Sequence, residues 1–457
     1  MISHLKHLGQ ENLAHHLENL PPGDREILAK HLAQVDFPLL HELFREFRHP
    51  SGEKFPGGIL PLQERDYFPV REPGGVSRDI LTLGENYLSA GRLAVVLLAG
   101  GVGSRLAFSG PKGEFPITPV TGKSLFEVHF EKIRRLQQKY AVALRVYLMT
   151  SAATDAATRE YLAEHDYFGI PRERISVFRQ GEMPAFSAET GEVYLKNPRE
   201  ICHGPDGHGG MLAALQHSGA YTDMESHGVE SVFTFHVDNP LVPIADPGIL
   251  GCHLEAESEM SLLAVHKSHG MERVGNVVRR GGSQPGLSIV EYFDFPEMIA
   301  EQRGEDDSLK YWAGSIGIHV LDVSFMRRMT ERIARAPMSV PWHFPLKKIR
   351  AATAGGEEED VMAIKPERFI FDILPFARFP LVLAVDREET FATLKDDPEP
   401  VMEHLSRLYK KWLRGAGAIF SEDAAAEIAP AFAMNAHELR MRMAPGTVFG
   451  GKEIFLR

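Results

Sequence analysis

Apolar positions change their period along the chain, and the changes predict its elements. Up to about residue 48 they recur at helical spacing: Leu5, Leu8, Leu13, His16 and Leu17, then Ile27, Leu28, Leu32 and Val35. Two helices are expected there, parted at Pro21-Pro22-Gly23. Residues 49–75 are rich in Gly and Pro and read as loop. Leu93-Ala-Val-Val-Leu-Leu98 is a short continuous apolar run ending at glycines, the mark of a strand buried on both faces. Helical spacing returns over 126–140, 159–167 and 210–220. Strand-like runs lie at 144–149, 175–178 and 232–237. This alternation predicts an α/β fold with a Rossmann-like, doubly wound sheet. Beyond about residue 260 the apolar runs 261–266 and 287–293 read as an antiparallel extension, which makes the sheet mixed. Residues 355–360 (Gly-Gly-Glu-Glu-Glu-Asp) read as an exposed acidic loop, and 402–413 as a helix before turn-rich sequence. Three parts follow: a helical N-terminal cap and linker over 1–75, a binding domain over 76–395, and a small C-terminal domain over 396–457.

Composition narrows the picture. The 457 residues are 44% hydrophobic and 25% charged, ample for a packed core without metal or disulfide staples. A formal net charge of −12 argues against sequence-independent nucleic-acid or anionic-membrane binding. It leaves room for an anionic small molecule held by local cations. Cys202 and Cys252 lack CxxC spacing, and so few thiols point to a reducing compartment. No signal-peptide h-region opens the sequence and no run reaches roughly 18 apolar residues, so a cytoplasmic location is expected.

The chemistry concentrates after the first apolar run, in Leu97-Leu-Ala-Gly-Gly-Val-Gly-Ser-Arg-Leu-Ala-Phe-Ser-Gly-Pro-Lys-Gly113. Gly100, Gly101 and Gly103 let the backbone approach a ligand and turn consecutive N–H groups toward an anion. Arg105 adds a planar fork for phosphate oxygens, and Lys112 a point charge. Two commoner phosphate motifs fail. Leu106 stands where a Rossmann fingerprint starting at Gly101 needs its third glycine, and Ile117 where a P-loop ending Gly122-Lys123-Ser124 needs its first. His203 and His208 lack a third partner at zinc-ligand spacing. Asp238, just past the 232–237 run, sits where α/β sheets place ligands and is a candidate for Mg²⁺ or a ribose.

The glycine loop with Pro111-Lys112-Gly113 resembles the signature of the eukaryotic-type UDP-sugar pyrophosphorylases. Within that group the chain most resembles the UDP-N-acetylglucosamine pyrophosphorylases. Further matching blocks run in order: Gly9-Gln-Glu11, Gly122 to Phe126, Met149-Thr-Ser151, Gln180 to Ala185, Pro205 to Gly210, Val237-Asp-Asn239, Val274-Gly275, Val290-Glu-Tyr292, Lys347-Lys-Ile349 and Glu367 to Asp372. The resemblance implies a nucleotidyltransferase of GT-A-like fold. It implies a uridylyltransferase that makes UDP-sugar and pyrophosphate from UTP and a sugar 1-phosphate with Mg²⁺, N-acetylglucosamine 1-phosphate being the first expectation.

Site roles are implied likewise. Leu98, Gly100, Gly101, Gly103 and Arg105 would hold the nucleotide's phosphates, with Lys112 neutralising charge at the reacting centre. Gln180 and Gly207 would meet uracil. His208, Gly275, Glu291, Tyr292 and Ser315 would face the sugar. Lys347 or Lys348 would reach the sugar phosphate, and Arg368 stands where the family has lysine. Read without the resemblance, Lys347-Lys348 is a solvated helix face. Three departures touch the sugar side. His208 replaces an asparagine in a Gly-His-Gly pattern more usual among UDP-glucose and broad UDP-sugar enzymes, and Ser315 and Ile318 stand where the family has asparagines. Val102 and Ala107 are loop departures. A UDP-glucose or broad-specificity enzyme is therefore the first alternative. A non-catalytic UDP-sugar sensor is the second, and Arg105 with Lys112 argues against it, because binding alone does not require both.

Overall fold

The computed structural model describes residues 1–50, 57–70, 76–282, 286–352 and 357–457. The main path of its central sheet joins β1 (Tyr67–Val70), β2 (Leu93–Leu98), β3 (Arg145–Thr150), β4 (Ile175–Arg179), β5 (Ser231–His236), β6 (Met260–His266), β7 (Ala313–Asp322) and β8 (Leu381–Val385). Their spatial order is β1-β8-β6-β7-β5-β2-β3-β4. Strands β5, β2, β3 and β4 are mutually parallel. So are β6, β8 and β1. Strand β7 runs antiparallel to both β5 and β6 and welds the two halves. The hairpin Gly275–Arg280 and Gly286–Val290 branches from β7.

The period-2 geometry of a strand explains why β2 is apolar throughout: both faces are covered. Leu93, Val95 and Leu97 enter one core, with the helix Leu125–Tyr140. Ala94, Val96 and Leu98 enter the other, with the helices Met211–His217 and Ala220–Ser226. The helix after β2 and the helices before β5 thus lie on opposite faces. The crevice beyond the carboxyl ends of these neighbours is where an open α/β sheet binds ligands.

Several expectations are corrected. The N-terminal segment forms four helices, Ile2–His7, Glu11–Asn19, Pro22–Leu32 and Phe37–Arg48. Pro22 opens the third of them, where its missing N–H costs nothing. The four pack on a second sheet, Phe186–Ser187, Glu358–Ile364, Leu346–Ala352, Leu195–Asn197 and Glu200–Ile201. The buried Gln10 amide bridges them, donating to Gly191 O at 3.1 Å and accepting from Val193 N at 2.9 Å. The stretch 49–75 is not all loop. Strand β1 lies in it, and an edge position accommodates Pro69. The acidic stretch is not a free loop either. Glu358 to Asp360 begin a strand, where Arg350 and Lys348 pair with Glu358 and Asp360 across the ladder, and Gly355 and Gly356 lie outside the described residues. The expected helix over 210–220 is two short helices broken at Gly219, φ +77°.

The C-terminal helix Glu399–Gly415 and the parallel pair Ala425–Ile428 and Glu453–Leu456 share the first-face core through Leu405, Leu408, Trp412, Ala426 and Ile454. Buried Glu427 accepts hydrogen bonds from Val120 N at 3.0 Å and Thr121 N at 2.8 Å, which ties this segment to the turn after the glycine loop. No helix among the described residues is long and apolar enough to cross a membrane.

Candidate active site

The glycine loop springs from β2 and closes on itself. Gly103 N donates to Gly110 O at 3.0 Å and Lys112 N to Gly101 O at 3.0 Å. Ser151 Oγ holds Gly100 O at 2.8 Å. A Cβ on Gly100 would stand 2.5 Å from Gln180 Oε1, so the missing side chain is what lets the Gln180 amide lie over the loop. The arch sets Lys112 at its base. Its Nζ donates to Leu394 O at 3.1 Å, lies 3.5 Å from Asp238 Oδ2, and its side chain is 17% exposed. Arg105 is 80% exposed and 3.8 Å from an Asp396 that is itself exposed, a contact that holds it weakly and leaves the fork available to a ligand.

A cavity of about 590 Å³ opens here, lined by Gly100, Gly101, Gly103, Arg105, Lys112, Gln180 and Lys347 among others. Lys395, which sequence reasoning missed, completes the cationic wall. Strand alternation separates the lysine pair. Lys347 faces the cavity and Glu367, at 2.7 Å, whereas Lys348 turns to solvent and Asp360, at 2.9 Å. The helix-face reading of this pair is thus replaced by a strand, Leu346–Ala352, and Lys348 leaves the site.

Gln180 neighbours Asp206, whose carboxyl burial pushes up to about 6. Gly207 has φ +81°, and a Cβ there would sit 2.2 Å from Arg368 O. The same carbonyl accepts from Gly209 N at 2.8 Å, while Arg368 N donates to Asp206 O at 2.8 Å. Arg368 is a scaffold rather than a cavity residue. Its guanidinium lies 3.8 Å over the Trp342 ring and donates to Pro337 O at 2.8 Å.

Asp238 and Lys395 lead into a second cavity of about 250 Å³, lined also by His208, His236, Gly275, Glu291, Ser315, His319 and Phe371. His208 Nδ1 accepts from Ile370 N at 3.1 Å, which leaves the ring proton on Nε2, and the ring stacks on Phe369. Burial keeps this imidazole neutral, well below the ordinary histidine range. Leu98 is core, and Tyr292 packs edge-on against Phe293. Neither lines either of these two cavities, nor does Gly207, whose place is the turn. Of the three departures on the sugar side, His208 and Ser315 face this cavity, but Ile318 belongs to the core of the opposite face. Among the described residues no group of three His, Cys, Asp or Glu side chains could hold a metal alone.

Burial raises the Glu291 carboxyl to about 7. Between the unfolded carboxylate's range and that value the folded chain holds a proton the unfolded chain has lost, so stability falls as pH rises through this window. Glu291→Gln removes the dependence. The variant's thermal midpoint, measured against wild type, is expected to climb from about pH 5 to about pH 8. A difference that stays flat over that range would contradict the buried carboxyl's role.

The profile of the UTP–glucose-1-phosphate uridylyltransferase family matches residues 76–340. UDP-N-acetylglucosamine diphosphorylase 1 of Arabidopsis thaliana is 32% identical over 440 residues, 92% of this chain and 85% of the relative. The UDP-N-acetylglucosamine pyrophosphorylase of Saccharomyces cerevisiae is 32% identical over 92% of both chains. Among solved structures, the uridine diphosphate N-acetylglucosamine pyrophosphorylase of Trypanosoma brucei superposes with a TM-score of 0.82 at 26% identity, covering 100% of this chain and 97% of the other.

Proposed function

The chain belongs to the UTP–glucose-1-phosphate uridylyltransferase family, and from that membership we propose that it couples UTP to N-acetylglucosamine 1-phosphate, forming the UDP-sugar and pyrophosphate. One observation carries the reading. A cation-lined cavity on a glycine loop shares Lys395 with a second cavity of mixed charge, whose Asp238 stands 3.5 Å from Lys112 of the first. The first suits a triphosphate and the second a sugar, and the reacting phosphorus falls at their junction.

In this reading the sugar phosphate oxygen attacks the α-phosphorus in line and pyrophosphate leaves, with no covalent intermediate. The protein's work is positioning and charge stabilisation. Gly100, Gly101 and Gly103 present backbone N–H groups, and Arg105 closes on the departing phosphates. Lys112 and Lys395 meet charge at the junction, and Lys347 approaches from the second sheet. Gln180, next to Asp206, reads uracil beside the Gly207 turn. His208, Gly275, Glu291 and Ser315 face the sugar. A single carboxylate with substrate phosphates is an ordinary Mg²⁺ donor set, and Asp238 would supply it. The ion would neutralise phosphate charge. The two free, buried thiols support a cytoplasmic setting.

His208 and Ser315 favour a second sugar, glucose 1-phosphate, because both stand on the wall where an asparagine amide is the family's pattern. The test is pyrophosphate release with UTP, Mg²⁺ and a panel of sugar 1-phosphates. Release with N-acetylglucosamine 1-phosphate is expected to be fastest. Release confined to glucose or galactose 1-phosphate would transfer the assignment, and none with any sugar would end it.

A further inference from the structure

The second cavity carries a feature that the roles assigned so far leave unexplained. Three imidazoles stand together on its wall. His208 and His236 meet edge to face with centroids 5.2 Å apart. His319, on β7 opposite Thr234 of β5, lies beyond His236 and is 1% exposed. Its Nε2 is buried without a hydrogen-bond partner.

The strand is built to bring it there. Between Leu262 and Ala264 of β6 the register to β7 jumps from His319 to Ser315, so β7 bulges over the intervening residues. Gly317 sits in the bulge with φ +69°, and a Cβ there would stand 2.8 Å from His236 Cδ2. The bulge thus presents Ser315 and His319 to one cavity and lets His236 lie between the strands.

Burial holds His319 neutral, at about 3, with neighbouring His236 acting in the same direction. A buried polar nitrogen left unpaired carries the cost of its lost hydration, which a partner brought by a ligand would relieve. A neutral imidazole does not select an anion. The facing side chains do not either: Glu291 and Asp238 are acids and Phe371 is an apolar wall, while the cations on the lining, Arg273 and Lys395, are both exposed at the mouth. What fits is a neutral, hydrogen-bonding group carried on a ring.

We propose that His319 is a specificity residue for the sugar, its imidazole taking the missing hydrogen bond from a hydroxyl or acetamido substituent of the sugar 1-phosphate. This rests on the uridylyltransferase reading and extends it, because it adds a buried histidine of β7 to Ser315 and the His208 turn as a determinant of the sugar.

The test compares wild type, His319→Phe and His319→Asn with UTP and either N-acetylglucosamine or glucose 1-phosphate. His319→Phe is expected to raise the sugar phosphate KM about tenfold and to change the preference between the two sugars, with the UTP KM held within about twofold. His319→Asn, which keeps a hydrogen-bonding group, should recover part of the loss. An unchanged sugar KM and preference, or a UTP KM that rises in step, would overturn the inference while leaving the functional reading intact. If His319→Phe shows no cooperative melt, the asparagine variant decides alone: a shifted sugar preference supports the inference and an unshifted one refutes it. If wild type releases no pyrophosphate, the reading fails first. The inference is then judged by calorimetry, as the advantage of UDP-N-acetylglucosamine over UDP in wild type and in His319→Asn. An equal advantage in both overturns it.

Discussion

Replacing Lys112 with alanine is expected to lower kcat by roughly a thousandfold while UDP-sugar binding changes only a fewfold. The argument starts from where the ammonium is held. Its side chain is 17% exposed, tied to Leu394 O at 3.1 Å and facing Asp238 at 3.5 Å. Arg105, by contrast, is 80% exposed. A charge fixed in advance in a partly dry site acts more strongly on developing negative charge than one that must be collected from solvent. In the proposed ground state several groups would share the nucleotide: the loop N–H groups, Gln180 and the exposed cations. Losing one cation therefore weakens binding little. In the proposed reaction charge gathers at the transition state on the α-phosphate and the leaving pyrophosphate, and Lys112 would meet it from 3.5 Å beside Asp238 of the second cavity. Lys112→Arg should restore little, because a planar fork cannot occupy the site of a compact ammonium pinned between a carbonyl and a carboxylate. Steady-state pyrophosphate release and calorimetric UDP-sugar titration read the two quantities separately. Equal losses in both, or an unchanged kcat, would take Lys112 out of the chemistry.

That prediction concerns the part of the site that was most legible in the chain. The loop is local: its glycines, Arg105 and Lys112 follow one another, and the apolar run before them announces β2. Gln180 and the sugar-side role of His208 come from distant segments and were reached through the family resemblance, whereas Asp238 was legible from its place just past a strand end. Lys395, His236 and His319 carried no signal at all. An isolated lysine near the end of a domain reads as solvated surface, and His236 and His319 read as strand residues until the bulge in β7 turns them into a cavity. Lys347-Lys348 misled for a related reason. A pair of adjacent charges has no period, and only the ladder to Glu358–Ile364 shows which of the two faces inward. Arg368 was a candidate only because it stands where the family has lysine. Its stacking on Trp342 and its bond to Pro337 O are tertiary facts.

Gly207→Ala is expected to abolish measurable turnover, a loss of at least about a hundredfold, and to lower the thermal midpoint. Two effects combine at this residue. Its φ of +81° is costly for any side chain, by roughly 1–2 kcal/mol. The added Cβ would also lie 2.2 Å from Arg368 O and 2.9 Å from Arg368 N, both backbone atoms that cannot rotate away. Either the turn or the Arg368 segment must move. The same two stretches are zipped by Gly209 N to Arg368 O and by Arg368 N to Asp206 O, each 2.8 Å. Moving them displaces Asp206 beneath Gln180 and pulls His208 from Ile370 N, so the uracil and sugar sides fail together. Gly219→Ala separates strain from clash. Gly219 has φ +77°, but a Cβ there meets nothing within 4 Å. It should lose roughly 1 kcal/mol of stability and keep wild-type turnover. If both variants destabilise alike and both retain activity, the turn tolerates a side chain, and the close approach of Gly207 to Arg368 does not hold the two substrate sites in place.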